Sequence, residues 1–269
     1  MIHICYGITK SASTFLYQLT EEILSGAGRT VCRIRRPGRS TLENYYDSIT
    51  IPLLDEIESR ARGREVVLKT HGRLDPAVAG RIAEGRIKAS ASFRDPREVA
   101  LSMADNGALS RQLGIPAFSE IAVPEDALPS IDMQLACLGE WMAVPGVEAF
   151  SYNEVCFSTD QAVRRLCAQI GVAVDAGRTI APFRNRMLIG QLNVARPLRY
   201  RDMDEATQAI FLQRYAAFYA TVDLGEHLVG QADSGGKPAP KDVWTYHLEN
   251  INRHLRRMWR TRSLGTIAP

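Results

Sequence analysis

The chain has 269 residues, 45% hydrophobic and 23% charged, the make-up of an ordinary globular protein with one sizeable core and appendages. A formal net charge of +3 gives no compositional case for bulk nucleic-acid binding. The five cysteines (Cys5, Cys32, Cys137, Cys156, Cys167) are scattered and odd in number and show no CxxC spacing, which excludes a legible disulfide framework or zinc site and leads us to expect reduced thiols in a cytoplasmic protein.

The opening MIHICYG lacks the charged n-region and long apolar h-region of a signal peptide, and no apolar run approaches the ~18 residues of a membrane span. Residues 2–6 are a short apolar run stopped by Gly7, which reads as a buried strand. From about Thr14, Leu16, Leu19, Ile23 and Leu24 recur at helical spacing until Gly26 and Gly28 end the pattern. Residues 30–34 predict a second strand, 51–62 a helix, 65–69 (EVVLK) a strand, 87–93 (IKASASF) another strand, and 97–104 a helix. Strands alternating with helices indicate an α/β protein with a central parallel sheet flanked by helices. Residues 106–130 carry Gly and Pro with weak periodicity and read as a loop region with short helical pieces. Beyond them, 131–144 predicts a helix, 146–152 a strand, 160–170 an amphipathic helix and 203–219 a further helix. QADSGGKPAPK, residues 231–241, reads as a linker, separating a domain of residues 1–230 from a C-terminal segment, 242–269.

Three of the strand ends carry chemistry. The first strand runs into ITKSASTF, a turn rich in hydroxyls that leads into a helix. Backbone N–H groups at a helix start attract anions, and Lys10 adds a point charge. A nucleotide-triphosphate loop needs GxxxxGK[ST]; here Gly7 stands three residues before Lys10, and Thr9 precedes it, so that motif fails. Taken alone, the segment is equally well a polar, capped helix start. The strand EVVLK ends in Lys69-Thr70-His71, at the carboxyl end where open α/β sheets bind ligands. Another strand ends in FRDPREVALS, which places Arg94 at the strand end and Ser102 eight residues on, both suited to an anion.

In this order the three segments resemble the PAPS-dependent sulfotransferase family. Its 5′-phosphosulfate loop reads roughly PKSGTTW, here TKSASTF; its KTH stands unchanged; and its R[ND]P[RK][DE]VAxS motif is matched by residues 94–102. FSYNEVCFSTDQAVRRLCAQIGV and ARPLRYRDMDEAT are similar to later family segments, so the likeness covers about residues 1–225. It implies a P-loop-kinase-like sulfotransferase fold and sulfuryl transfer from 3′-phosphoadenosine-5′-phosphosulfate (PAPS), with 3′,5′-ADP as product and no metal. The acceptor implied is a hydroxyl or amine on a sugar, lipid or small natural product. The resemblance gives His71 the role of general base, and Lys10 and Lys69 that of stabilising the leaving phosphate. Lys10, Ser11, Ala12, Ser13, Thr14 and Phe15 would line the nucleotide, with Phe15 and Tyr152 at the adenine and Arg94 and Ser102 at the 3′-phosphate. Ala12 stands where the family has glycine, Thr9 where it has proline, and the Arg-Lys-Gly phosphate clamp is missing as such, with Arg196 or Arg199 as substitutes.

Each residue also has a bland reading: Arg94 as a helix-capping ion pair, Ser102 as a helix serine bonded to backbone, Phe15 as core. The rival classes are a small-molecule kinase, for which neither a Walker glycine pattern nor a magnesium carboxylate is visible, and a non-catalytic nucleotide-binding module of the same fold. In the C-terminal segment Trp244, Leu248, Ile251, Leu255 and Met258 recur at heptad-like steps among arginines, which predicts a basic amphipathic helix. That helix would dock on its own domain or a second copy, lie on an anionic membrane surface, or hold an acidic acceptor.

Overall fold

Strand β1 (Ile2–Gly7) is buried along its whole length. Its apolar run, broken by His3 alone, therefore marks a strand covered on both faces, not an edge. It pairs in parallel with β3 (Val66–Thr70) on one side and β4 (Lys88–Phe93) on the other, and β5 (Val147–Ser151) extends the sheet beyond β4. The order is β3-β1-β4-β5, all parallel. A second parallel pair, β2 (Cys32–Ile34) with β6 (Gly265–Ile267), sits beside β3 through a bridge between Val31 and Glu65. The computed structural model describes residues 1–34, 44–184, 196–229 and 265–267.

Alternation along the strands separates the two faces. Ile2, Ile4 and Tyr6 join Val66, Leu68, Ala89, Ala91 and Phe93 in the larger core. That core is closed by residues of α2 (Ile51–Ala61), α3 (Pro76–Ala83), α4 (Pro96–Leu113), α5 (Leu128–Met142) and α9 (Glu205–Arg214). On the other face Cys5 and Val67 meet Tyr17 and Leu24 of α1 (Ser13–Gly26), while Phe150 of β5 packs with Leu16, Leu19 and Ile23. Helix α7 (Thr159–Ile170) completes that layer with Val163 and Leu166. Each such aliphatic or aromatic side chain, fully buried, contributes roughly 1.5–3 kcal/mol. Two polar groups in this core have buried partners: His3 Nε2 lies 3.2 Å from Ser90 Oγ, while its Nδ1 is buried with none, and Arg33 pairs with Glu21.

The predicted strands are present within one or two residues, as are α1, α2 and α7. Three short helices were not foreseen: α3, α6 (Tyr152–Phe157) and α8 (Ala176–Ile180). All three begin at a side-chain cap, Asp75, Ser151 and Asp175 respectively. Helix α4 runs on to Leu113, through the start of the stretch read as loop, and α5 begins at Leu128, preceded by a 3₁₀ turn at Pro124–Ala127. The helix expected over 203–219 is broken at Tyr215 into α9 and α10 (Ala216–Thr221). The linker at 231–241 and the helix expected from residue 242 lie outside the described residues. Of the C-terminal segment residues 265–267 are described; they form β6, beyond the end of the helix expected over about 242–262. Among the described residues no helix is long and apolar enough to cross a membrane.

Candidate functional site

The carboxyl ends of β1, β3 and β4 lie side by side, so the loops that leave them share one edge of the sheet. After β1 the chain turns through Lys10 (φ 68°) and Ala12 (φ 64°), both left-handed, before α1 begins. Ala12 is the N-cap of α1 and supplies no side-chain cap. The first-turn N–H groups of α1 thus face this loop without the serine, threonine or aspartate oxygen that ordinarily meets them, an arrangement that suits an anion. Ser11 closes the turn from beneath: its Oγ donates to Ile8 O (2.6 Å) and lies 2.8 Å from Ser92 Oγ at the end of β4. Gly7 makes room for that junction, since a Cβ there would stand 2.2 Å from Ser92 Oγ and 2.6 Å from Ser13 Cβ. Thr9 N donates to Gln134 Oε1 of α5.

Lys69, the penultimate residue of β3, is 2% exposed, and its Nζ donates to Thr14 Oγ1 at 2.7 Å. A buried ammonium is thereby aimed at the first turn of α1. Two residues on, His71 Nδ1 is 2.5 Å from Gly7 O. A carbonyl accepts and cannot donate, so Nδ1 carries the proton, and in the neutral ring Nε2 is left as the acceptor. The turn behind His71 is fixed from several directions. Gly72 N donates to Thr70 Oγ1 (2.9 Å), Trp141 Nε1 donates to Gly72 O (3.1 Å), and a Cβ on Gly72 would lie 2.0 Å from Asp47 O. The Tyr45 ring lies 5.6 Å from the His71 ring and 5.7 Å from Lys69 Nζ.

Arg94 follows β4 and is buried. Its Nε and Nη2 donate to Glu98 Oε2 (2.9 and 2.6 Å), Nη1 donates to Lys10 O (3.3 Å), and its guanidinium lies 3.7 Å from the Tyr152 ring centroid. Burial works against its charge, but neighbouring Tyr152 and Glu98 more than offset that and raise its pKa. Burial pushes the Tyr152 hydroxyl up as well, so it stays neutral. The other Glu98 oxygen, Oε1, accepts from Arg199 N at 2.6 Å, and Arg199 Nη2 pairs with Asp105 at 2.9 Å. Lys10 is pulled down to about 8, chiefly by burial and then by the positive charge of Lys69, with Asp105 opposing. Its Nζ sits 4.6 Å from the centroid of the Phe118 ring.

The structure therefore brings Lys10, Ala12, Ser13, Thr14, Lys69, His71, Arg94, Tyr152 and Arg199 to one edge of the sheet. Ser102 is buried on α4 two turns beyond Arg94, and its carbonyl accepts from Asn106 Nδ2. Other candidates face different partners. The Ser11 hydroxyl is turned inward, Phe15 packs edge-on against Phe183 (5.1 Å), and Arg196 pairs with Asp202. Asp95, directly before Pro96, caps α4 by accepting from Arg97 N. Sequence reasoning missed Glu98, Tyr45, Asp105 and Phe118. Glu98 was legible as the residue one helical turn after Arg94; Tyr45 and Phe118 lie in aperiodic stretches that give no signal. Among the described residues no three His, Cys, Asp or Glu side chains converge as metal ligands.

A scan against protein-family models finds no match, and a search of curated proteins finds none either. Solved structures do match. A retinol dehydratase in complex with retinol and PAP superposes at TM-score 0.55 with 14% identity, covering 83% of this chain and 82% of that one. Retinol dehydratase with androsterone and inactive cofactor PAP gives 0.55 and 12%, covering 82% and 80%. A mouse sulfotransferase complexed with PAP gives 0.51 and 13%, covering 84% and 87%. This likeness establishes the fold: a central parallel sheet flanked by helices, of the sulfotransferase type.

Proposed function

We propose that this chain is a sulfotransferase that moves the sulfuryl group of PAPS onto the hydroxyl or amine of a small acceptor. The observation that carries the reading is the hydrogen bond from His71 Nδ1 to Gly7 O, which leaves Nε2 a proton acceptor beside an uncapped, twice left-handed loop flanked by Lys10 and Lys69. A site for nucleotide binding alone has no use for a base held in that tautomer. The donor set fits a 5′-phosphosulfate. The first-turn N–H groups of α1 and the two ammonium groups would meet its oxygens, and Arg94 would turn its remaining donors to the 3′-phosphate.

In the reaction so read, the acceptor oxygen forms a bond to sulfur as the bond from sulfur to the 5′-phosphate oxygen breaks. The acceptor proton passes to His71 Nε2, and the leaving oxygen keeps the electron pair. Lys69, fixed on Thr14, and Lys10 offset the charge that collects on that oxygen. The solved structures of this fold that contain PAP, which is 3′,5′-ADP, support the nucleotide, and those with retinol or androsterone support a small hydroxyl-bearing acceptor.

Thermal unfolding tests the reading. A ligand at about 100 times its Kd that binds the native state alone adds roughly 2.7 kcal/mol of stability. We expect 3′,5′-ADP to raise Tm by several degrees and ATP with magnesium to do little. The opposite pattern moves the chain to the kinase class.

A further inference from the structure

Between α4 and α5 the chain holds one bulky side chain in a backbone conformation that L residues avoid. Phe118 has φ 62°. Its surroundings impose this. Gly107, inside α4, lets the loop close, because a Cβ there would lie 2.2 Å from Ile121 O and 2.5 Å from Phe118 O. Arg111 Nη1 donates to both Ser119 O and Ile121 O at 2.9 Å, and Ser119 Oγ donates to Pro116 O. Asp126 Oδ2 accepts from Ala122 N and Val123 N. The ring so presented meets the Lys10 ammonium at 4.6 Å from its centroid.

The choice of partner has a chemical consequence. Asp105, the carboxylate of α4 on this side, is paired with Arg199. Lys69 and Arg94, the other charged groups facing Lys10, carry the same sign as Lys10. An aromatic face attracts a cation without the opposite charge that a carboxylate partner brings, and Asp105, paired with Arg199, adds an attraction of its own. We propose that Phe118 is a positioning residue for Lys10: it holds the ammonium over the β1–α1 loop with its charge available to an anion bound there. This rests on the reading of that loop as a phosphosulfate site, and it gives the 106–123 stretch a part in the donor site.

The test is an NMR titration of the Lys10 side chain in the ligand-free protein, with Lys10→Met to assign the signal, in wild type and in Phe118→Leu, Phe118→Tyr and Phe118→Gly. A partly exposed cation–π contact corresponds to about half a pH unit. In Phe118→Leu the Lys10 midpoint should fall by that amount and 3′,5′-ADP should bind about threefold more weakly at pH 9; Phe118→Tyr should restore both. Phe118→Gly relieves the left-handed backbone but also loses the packing of the ring against the core, so whatever its melting temperature it should titrate like the leucine variant. A purely structural role would instead make binding follow stability. A midpoint that stays or rises in Phe118→Leu, or that tyrosine does not restore, overturns the proposal. Failure of 3′,5′-ADP to bind wild type would overturn the proposed function and not this inference, which the ligand-free titration decides.

Discussion

If the β1–α1 loop holds the nucleotide as proposed, the depressed pKa of Lys10 makes its affinity a function of pH in a range where the ligand itself does not titrate. Free Lys10 titrates at about 8, because burial and the neighbouring charge of Lys69 disfavour the ammonium. An anion bound at the β1–α1 loop favours the ammonium and returns the group toward its ordinary range near ~10.4. At pH 7 the free group is already about nine-tenths protonated, and at pH 9 about one-tenth, by the usual titration relation. Binding at pH 9 must therefore draw in a proton, and affinity for 3′,5′-ADP should fall about tenfold from pH 7 to pH 9, about 1.4 kcal/mol. The ligand phosphates have already lost their second protons near pH ~6. The thiols do not mimic the step: burial raises all five, Cys5 to about 11 and Cys156 to about 12. Calorimetry in two buffers of different ionisation enthalpy reads both the affinity and the proton uptake. Lys10→Met should bind weakly throughout and show no step. A flat affinity in wild type, or the same step in Lys10→Met, refutes the reasoning.

Three further outcomes follow from the geometry. His71→Asn can keep a donor toward Gly7 O while losing the Nε2 acceptor, so PAPS-dependent turnover over an acceptor panel should drop on the order of 10²-fold or more, with 3′,5′-ADP affinity little changed; undiminished turnover places the base elsewhere. Gly107→Ala gains about 1 kcal/mol of helix propensity but drives a methyl against Ile121 O and Phe118 O, so we expect a net loss of roughly 1–3 kcal/mol in urea unfolding and a lower Lys10 midpoint; a more stable variant contradicts the packing described. His3 is lowered to about 3 by burial and then by Lys88, against ~6.5 in the unfolded chain, so between those values the unfolded state binds more protons and stability is lost as the pH is lowered. By pH 5 that loss reaches about 2 kcal/mol, and it should be missing from the difference in unfolding free energy between pH 7 and pH 5 in His3→Gln; identical differences in the two proteins would rule it out.

What the sequence disclosed of the site follows from how its residues are held. Lys10, Lys69, His71 and Arg94 stand where a regular strand ends, so a strand pattern read from residues 2–6, 65–69 and 87–93 already places them at one edge of a parallel sheet. The local partner of Arg94 was legible too, since Glu98 lies one turn beyond it on α4. Long-range partners were not. The carbonyl that sets the His71 tautomer belongs to a residue 64 positions earlier, and the acid that pairs with Arg199 stands on α4. Phe118 was the least legible of all. Its position depends on a glycine eleven residues earlier, an arginine that binds two loop carbonyls and an aspartate that caps the following turn. No periodicity passes through such a loop, and a phenylalanine in a left-handed conformation contradicts local propensity. Local rules fail at a residue when its surroundings override them. Here the override sets a ring 4.6 Å from the ammonium of the one lysine of the β1–α1 loop, so the place where sequence reading was blind is also where we propose that the fold acts on the charge of the site.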